Sequence, residues 1–232
     1  MYSASRFARW YSCNDAVPLQ ADVVDWIERD IAIGDVVYDV GAGIGEYALV
    51  MAKHKGATVL AFEPGYAAHA EFCDNILLNH CEAFIVPVPL ALAGRDGLAE
   101  IKYLQDRPGE PGYLVRSDID WRVKHRGRNK PYLQPACLVS LDSFVQSQRP
   151  PSPHHIRLAP DCDITAICAG AGRTLRLPSL KTLWLQVSES AAAATLEGLA
   201  QSEWIPRTRF ACGADVQFVF VRQGSAAAIA GS

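Results

Sequence analysis

Short apolar runs alternate along the chain with amphipathic stretches of helical period, and this alternation predicts a mainly parallel sheet with helices on both faces. Val23, Val24, Ile27 and Ile31 recur at helical spacing, so the first helix is expected over Ala21 to Asp30, ending before Gly34. "VVYDV" from Val36 and "TVLAFE" from Thr58 read as strands, joined by a helix from Tyr47 to Lys55. The helix "AAHAEFCDNILLNH" leads to a third strand, Ala83 to Val88, which Pro87 and Pro89 place at a sheet edge. The pattern loosens from Gly94 to Pro150. There "GRDGLAEIKYL" reads as a hairpin, "RPGEPG" as a turn, and "SLDSFVQSQ" as a short helix begun by Ser140 or Asp142. The strand "HHIRLA", a helix near Ile164 to Leu175, the strand "TLWLQVS" and the helix "AAAATLEGLAQ" restore the alternation. "EWIPRTRF" and "DVQFVFVR", on either side of Cys212-Gly213, then form a hairpin. The expectation is one α/β, Rossmann-like domain over 1–232 with a seven-stranded, mainly parallel sheet whose last strand is antiparallel. Residues 1–33 form an N-terminal helical cap, 94–150 an inserted lobe over the cleft, and 224–232 a tail.

Half of the 232 residues are hydrophobic, enough for one good core. The formal charge of −3 gives no clustered basic footprint, so no nucleic-acid partner is expected, and "WRVKHRGRNK" from Trp121 to Lys130 reads as a solvated loop. No apolar run reaches the ~18 residues that span a bilayer, and "MYSASRFARWYSCND" lacks a signal-peptide core, so the expectation is a cytoplasmic protein without membrane contact. The seven cysteines form no Cys-x-x-Cys pair and read as reduced thiols, with no metal site. Oligomeric state is not readable.

Chemistry concentrates where the first strand meets Gly41, Gly43 and Gly45. A glycine-rich strand-to-helix turn lets backbone approach a ligand, and such a turn serves dinucleotides. Here Asp39 precedes the glycines and Glu46 opens the helix, two carboxylates where a pyrophosphate would lie. A nucleoside with a cationic amino-acid tail, S-adenosylmethionine, suits them better, with Glu63 at the end of the second strand placed to take ribose hydroxyls. A nicotinamide dehydrogenase is the weaker alternative.

Beyond the glycines, "YDVGAGIGEYAL", "AFEPGYAAHAEFCDNILLNH", "LALAGRDGLAEI" and "VSLDSFV" occur in order over about Gly34 to Leu185. In these stretches the chain resembles the FkbM family of S-adenosylmethionine-dependent methyltransferases. The resemblance implies the class I methyltransferase fold and O-methyl transfer to a hydroxyl of a small natural product or sugar. It also implies that Asp39, Gly41, Gly43 and Gly45 line the methionine side of the cofactor and that Glu63 holds the ribose. Pro64 and Gly65 shape the adenine pocket, and the backbone near Pro89, Leu90 and Ala91 reaches the base. Asn75 and Asn79 are expected to brace a neighbouring loop, and Asp142 to cap its helix.

One segment departs from the family. Where the family reads Ile-Lys-Ile-Asp-Val followed by an acidic residue, Gly, a variable residue and Glu, this chain reads "IRLAPDCDI", with Arg157 for the lysine, Ala159 for the aspartate, Cys162 for the glycine and Ile164 for the glutamate. Candidates for a base near that strand are Asp161 first, then Asp163, His154 and His155. The alternative is a methyltransferase-like domain that binds cofactor or a partner without turnover.

Overall fold

The computed structural model describes residues 19–103, 113–116, 133–160 and 162–223, excepting the side chains of 103, 113–116 and 133. The "RPGEPG" and "WRVKHRGRNK" segments, residues 1–18 and the tail from 224 lie outside the described residues, as does Asp161.

Helix α1 (Ala21–Asp30) buries Val23, Trp26 and Ile27 along one stripe, as the spacing predicts. β1 (Val36–Val40), α2 (Glu46–Lys55), β2 (Thr58–Phe62), α3 (Tyr66–Leu78) and β3 (Ile85–Val88) follow as parallel strand–helix units. β1 is buried at every position, as a strand covered on both faces must be. After the chain passes through a second sheet, described below, α4 (Leu141–Gln148) leads back to β8 (His155–Leu158). Next come α5 (Ile164–Ala169), β9 (Thr182–Ser188), α6 (Glu189–Ala200), β10 (Trp204–Cys212) and β11 (Asp215–Arg222).

The main sheet has seven strands in the order β10-β11-β9-β8-β1-β2-β3. Only β11 runs against the others, inserted between β9 and β10, as the terminal hairpin signal predicts. β3, with Pro87 inside it and Pro89 just after it, is an edge strand among the described residues. Alternate side chains divide the core: Tyr38, Phe62, Ile156 and Leu185 face one way with Phe144 and Ile167, while Val37, Val59, Ala61 and Trp184 face α1, α2 and α3.

A second, four-stranded sheet occupies the loosely patterned stretch: β4 (Ala91–Ala93), β5 (Gly97–Tyr103), β6 (Tyr113–Arg116) and β7 (Leu133–Ser140), in the order β4-β7-β5-β6. "GRDGLAEIKYL" is therefore not a hairpin in itself, because β4 and β5 each pair with β7. Ser140, not Asp142, caps α4, its hydroxyl accepting from the Ser143 amide. Asp142 instead accepts from the amides of Arg173 and Thr174, holding a 3-10 turn at Thr174–Arg176. The helix expected to reach Leu175 stops before Gly170, and that turn replaces its second half.

Candidate functional site

In the strand order, chain progression turns one way from β1 into β2 and β3, and the other way into β8 and β9. Ligands of open α/β sheets bind outside the carboxyl ends of the strands at such a switch point. A cleft of about 780 Å³ opens there, lined by Val40 of β1 and Gly41 after it, Phe62 of β2 and Pro64 after it, the Leu90–Arg95 stretch, Leu138, Cys162 and Asp163 before α5, and Ala166, Ile167 and Ala169 of α5. Four residues expected to meet the cofactor, Gly41, Pro64, Leu90 and Ala91, are in this lining.

The loop from Gly41 to Gly45 is fixed from behind. The Gly41 and Ala42 amides donate to Phe62 O at 2.9 and 3.0 Å. Gly45 has φ +90°, and a Cβ there would strike the Phe72 ring at 2.0 Å, so no other residue fits. Gly43, at φ +59°, would meet nothing within 4 Å and presents open backbone. Asn75 Nδ2 donates to Ile44 O and so braces the loop as expected, whereas the Asn79 side chain donates to Asn75 O and accepts from Lys53, tying α3 to α2.

Glu63, 1% exposed, joins the two sides of the cleft: its carboxylate accepts from the Gly43 amide at 2.9 Å and the Gly65 amide at 2.7 Å. From the other side Gln134 of β7 donates to Pro64 O and accepts from the Tyr66 amide. Sequence reasoning missed Gln134; a lone glutamine between apolar strand residues was its signal.

Asp39 is fully buried, and Arg157 Nη1 donates to it at 2.7 Å. The guanidinium is held between Tyr47, 4.2 Å from the ring centroid, and Trp184, at 5.3 Å. Asp39 Oδ2 and Arg157 Nε have no hydrogen-bond partner. The charge of Asp39 is thus already compensated within the sheet. Glu46, half-buried at the start of α2, has its carboxyl pushed up by burial and by Asp39 and Glu71, with Arg157 opposing.

The proposed bases separate by strand polarity. His155 begins β8 and so lies at the amino edge of the sheet, away from the cleft. It is fully buried, with Nδ1 at 2.8 Å from Thr182 Oγ1 and Nε2 at 3.0 Å from Asp35. Both ring nitrogens are engaged, which corrects its expected catalytic role. His154 Nδ1 accepts from the Val36 amide at the same edge. Asp163 does line the cleft, capping α5 by accepting from the Ala166 amide. Ala159, in place of the family aspartate, abuts the glycine turn: a Cβ on Gly41 would meet its methyl at 2.9 Å.

Among the described residues, no group of three or more His, Cys, Asp or Glu could hold a metal ion, and no helix is long and apolar enough to cross a membrane. No family model and no curated protein matches the sequence. Solved structures do. The chain is similar to precorrin-6y C5,15-methyltransferase from Geobacter metallireducens, at 10% identity over 90% of each chain and TM-score 0.55. It is similar to an rRNA methylase from Streptococcus thermophilus, at 10% identity over 89% of this chain and 97% of that one, TM-score 0.53. A ribosomal protein L11 methylase from Lactobacillus delbrueckii subsp. bulgaricus matches at 13% over 87% and 76%, TM-score 0.51. Because this fold is shared with an rRNA methylase, the expectation of no nucleic-acid partner is withdrawn: a net charge of −3 does not exclude one. At these identities the likeness establishes architecture, and the chain has the Rossmann-like fold of methyltransferases.

Proposed function

We propose that the chain is an S-adenosylmethionine-dependent methyltransferase. The observation that carries this is the cleft at the β1/β8 switch point, where the glycine loop and the turn after β2 are tied together by the Glu63 carboxylate. The residues present fit the cofactor. Pro64, Leu90, Ala91 and Ile167 supply an apolar slot for a base, Gly43 leaves backbone open to close approach, and Glu46 places a carboxylate where a dinucleotide would need room for phosphate.

Once bound, S-adenosylmethionine supplies a methyl group on a good leaving group to a nucleophile held in line. The chain's contribution is then orientation and proton removal. Asp163, at the cleft wall, is the described carboxylate placed to accept a proton, and Asp161 two residues earlier is the second candidate. The acceptor we propose is a hydroxyl of a small natural product or sugar, on the strength of the FkbM-like stretches. A second reading, binding without turnover, is favoured by Ala159 packed where an acid would stand.

Calorimetric titration with S-adenosylmethionine and with NAD tests the cofactor, and only the former is expected to bind. Radiolabelled methyl transfer to sugar and polyketide hydroxyls, with rRNA and ribosomal protein beside them, tests the acceptor. Transfer abolished by Asp163→Asn or Asp161→Asn with cofactor affinity retained supports the enzyme. Tight cofactor binding with no transfer to any substrate supports the second reading.

A further inference from the structure

We infer that Gln134 is a positioning residue that fixes the nucleobase wall of the cleft from the second sheet. This rests on the cofactor reading above. Gln134 belongs to β7 and is fully buried, yet its side-chain amide serves the turn after β2. Nε2 donates to Pro64 O at 2.7 Å and Oε1 accepts from the Tyr66 amide at 2.9 Å. The side chain thereby imitates the paired donor and acceptor of a neighbouring strand for a turn that leaves its own sheet. Between those two contacts, the Gly65 amide is taken by Glu63 Oε1, so each of three consecutive residues has a backbone group held by a buried side chain. Tyr66 adds a fourth tie, its hydroxyl donating to Pro135 O at 3.1 Å. Pro64 lines the cleft, and so does Leu138, which lies on the same face of β7 as Gln134. One strand of the second sheet thus supplies both a lining residue, Leu138, and the anchor of another, Pro64. Tilting that turn changes the width of the base slot.

The test compares S-adenosylmethionine with methylthioadenosine, which keeps base and ribose but lacks the amino-acid tail. Gln134→Met preserves volume and removes both hydrogen bonds. It is expected to weaken the two ligands by the same factor, about tenfold or more for two lost bonds. Tyr66→Phe alters an exposed side chain that does not endanger folding, and is expected to weaken both by a smaller, again equal, factor. Unfolding midpoints are read alongside. Should Gln134→Met fail to fold, Tyr66→Phe alone decides. Unchanged affinity for both ligands in folded variants, or a loss confined to S-adenosylmethionine, overturns the inference while leaving the cofactor reading intact. Wild-type protein that binds neither ligand overturns both.

Discussion

Glu63 and Arg157 each hold a position that a near-isosteric change would expose. Both Glu63 oxygens accept from backbone amides, so Glu63→Gln must turn its own N–H groups toward one of them. The loss of one charge-assisted bond and the new donor–donor contact are expected to cost about 1–3 kcal/mol. The expected result is a lower unfolding midpoint together with weaker S-adenosylmethionine binding by calorimetry; a variant that loses neither shows that the bridge is dispensable. Arg157 answers a different need. Removing it as Arg157→Met leaves Asp39 buried and unpaired, a change that typically costs about 3–5 kcal/mol. Adding Asp39→Asn removes the stranded charge, so the double variant is expected to be more stable than Arg157→Met alone in denaturant titration. Additive losses would show that the pair does not interact. The partnership was not readable from sequence, because it depends on the register that sets Asp39 beside Arg157 on the neighbouring strand.

Among elements, the glycine loop combines two requirements that mutation can separate. Gly45→Ala adds a methyl against Phe72 on top of the left-handed backbone cost of about 1–2 kcal/mol, so loss of stability is its expected first effect. Gly43→Ala meets only the backbone cost, because its added methyl would meet no described atom within 4 Å. It is expected to fold and to lose cofactor affinity out of proportion to stability, as calorimetry on the two variants would show; equal profiles would contradict this division. The elements themselves were largely legible. α1, β1, β2 and β9 lie where periodicity puts them, because each buries its own apolar pattern locally. The second sheet was not, since β4 and β5 find their common partner β7 far along the chain, and local alternation carries no record of a distant mate. His155 failed for a simpler reason. His155 opens the strand "HHIRLA", which puts it at the amino edge of a parallel sheet, and at about 3.3 Å per residue that edge is remote from the carboxyl edge where ligands bind.

Across the whole molecule, the amino edge of the sheet holds a polar network joining α1, β1, β8 and β9. Trp26 donates to Thr182, Thr182 contacts His155, and His155 and Lys181 both reach Asp35. Burial lowers the His155 pKa despite the opposing pull of Asp35. Burial would raise that of Asp35, but the Lys181 ammonium, the Ala32 amide and His155 outweigh it and hold the carboxyl at about 2. Both folded-state values lie below their unfolded ones, so the unfolded chain binds more protons in each window and stability falls as pH falls. The His155 contribution is expected to fade below about 6.5, the ordinary histidine value, and the Asp35 contribution between about 4 and 2. Unfolding midpoints measured from pH 8 to 4 should decline from near 6.5, and His155→Asn should flatten the upper part of that decline. A wild-type midpoint that rises on acidification would refute the assignment.

The inserted position of β11 bears on how the chain reaches this state. β10 touches the main sheet only through β11, and β9 likewise has β11 as its outer neighbour. Until β11 has been synthesised, β9 is an open edge and β10 has no mate in this sheet among the described residues. The nascent chain can assemble one half of the sheet early, around local β1–β2–β3 contacts, while the other half waits for β11. An unpaired β9 edge during that interval is a template for pairing with another chain, so the strand order itself carries an aggregation hazard.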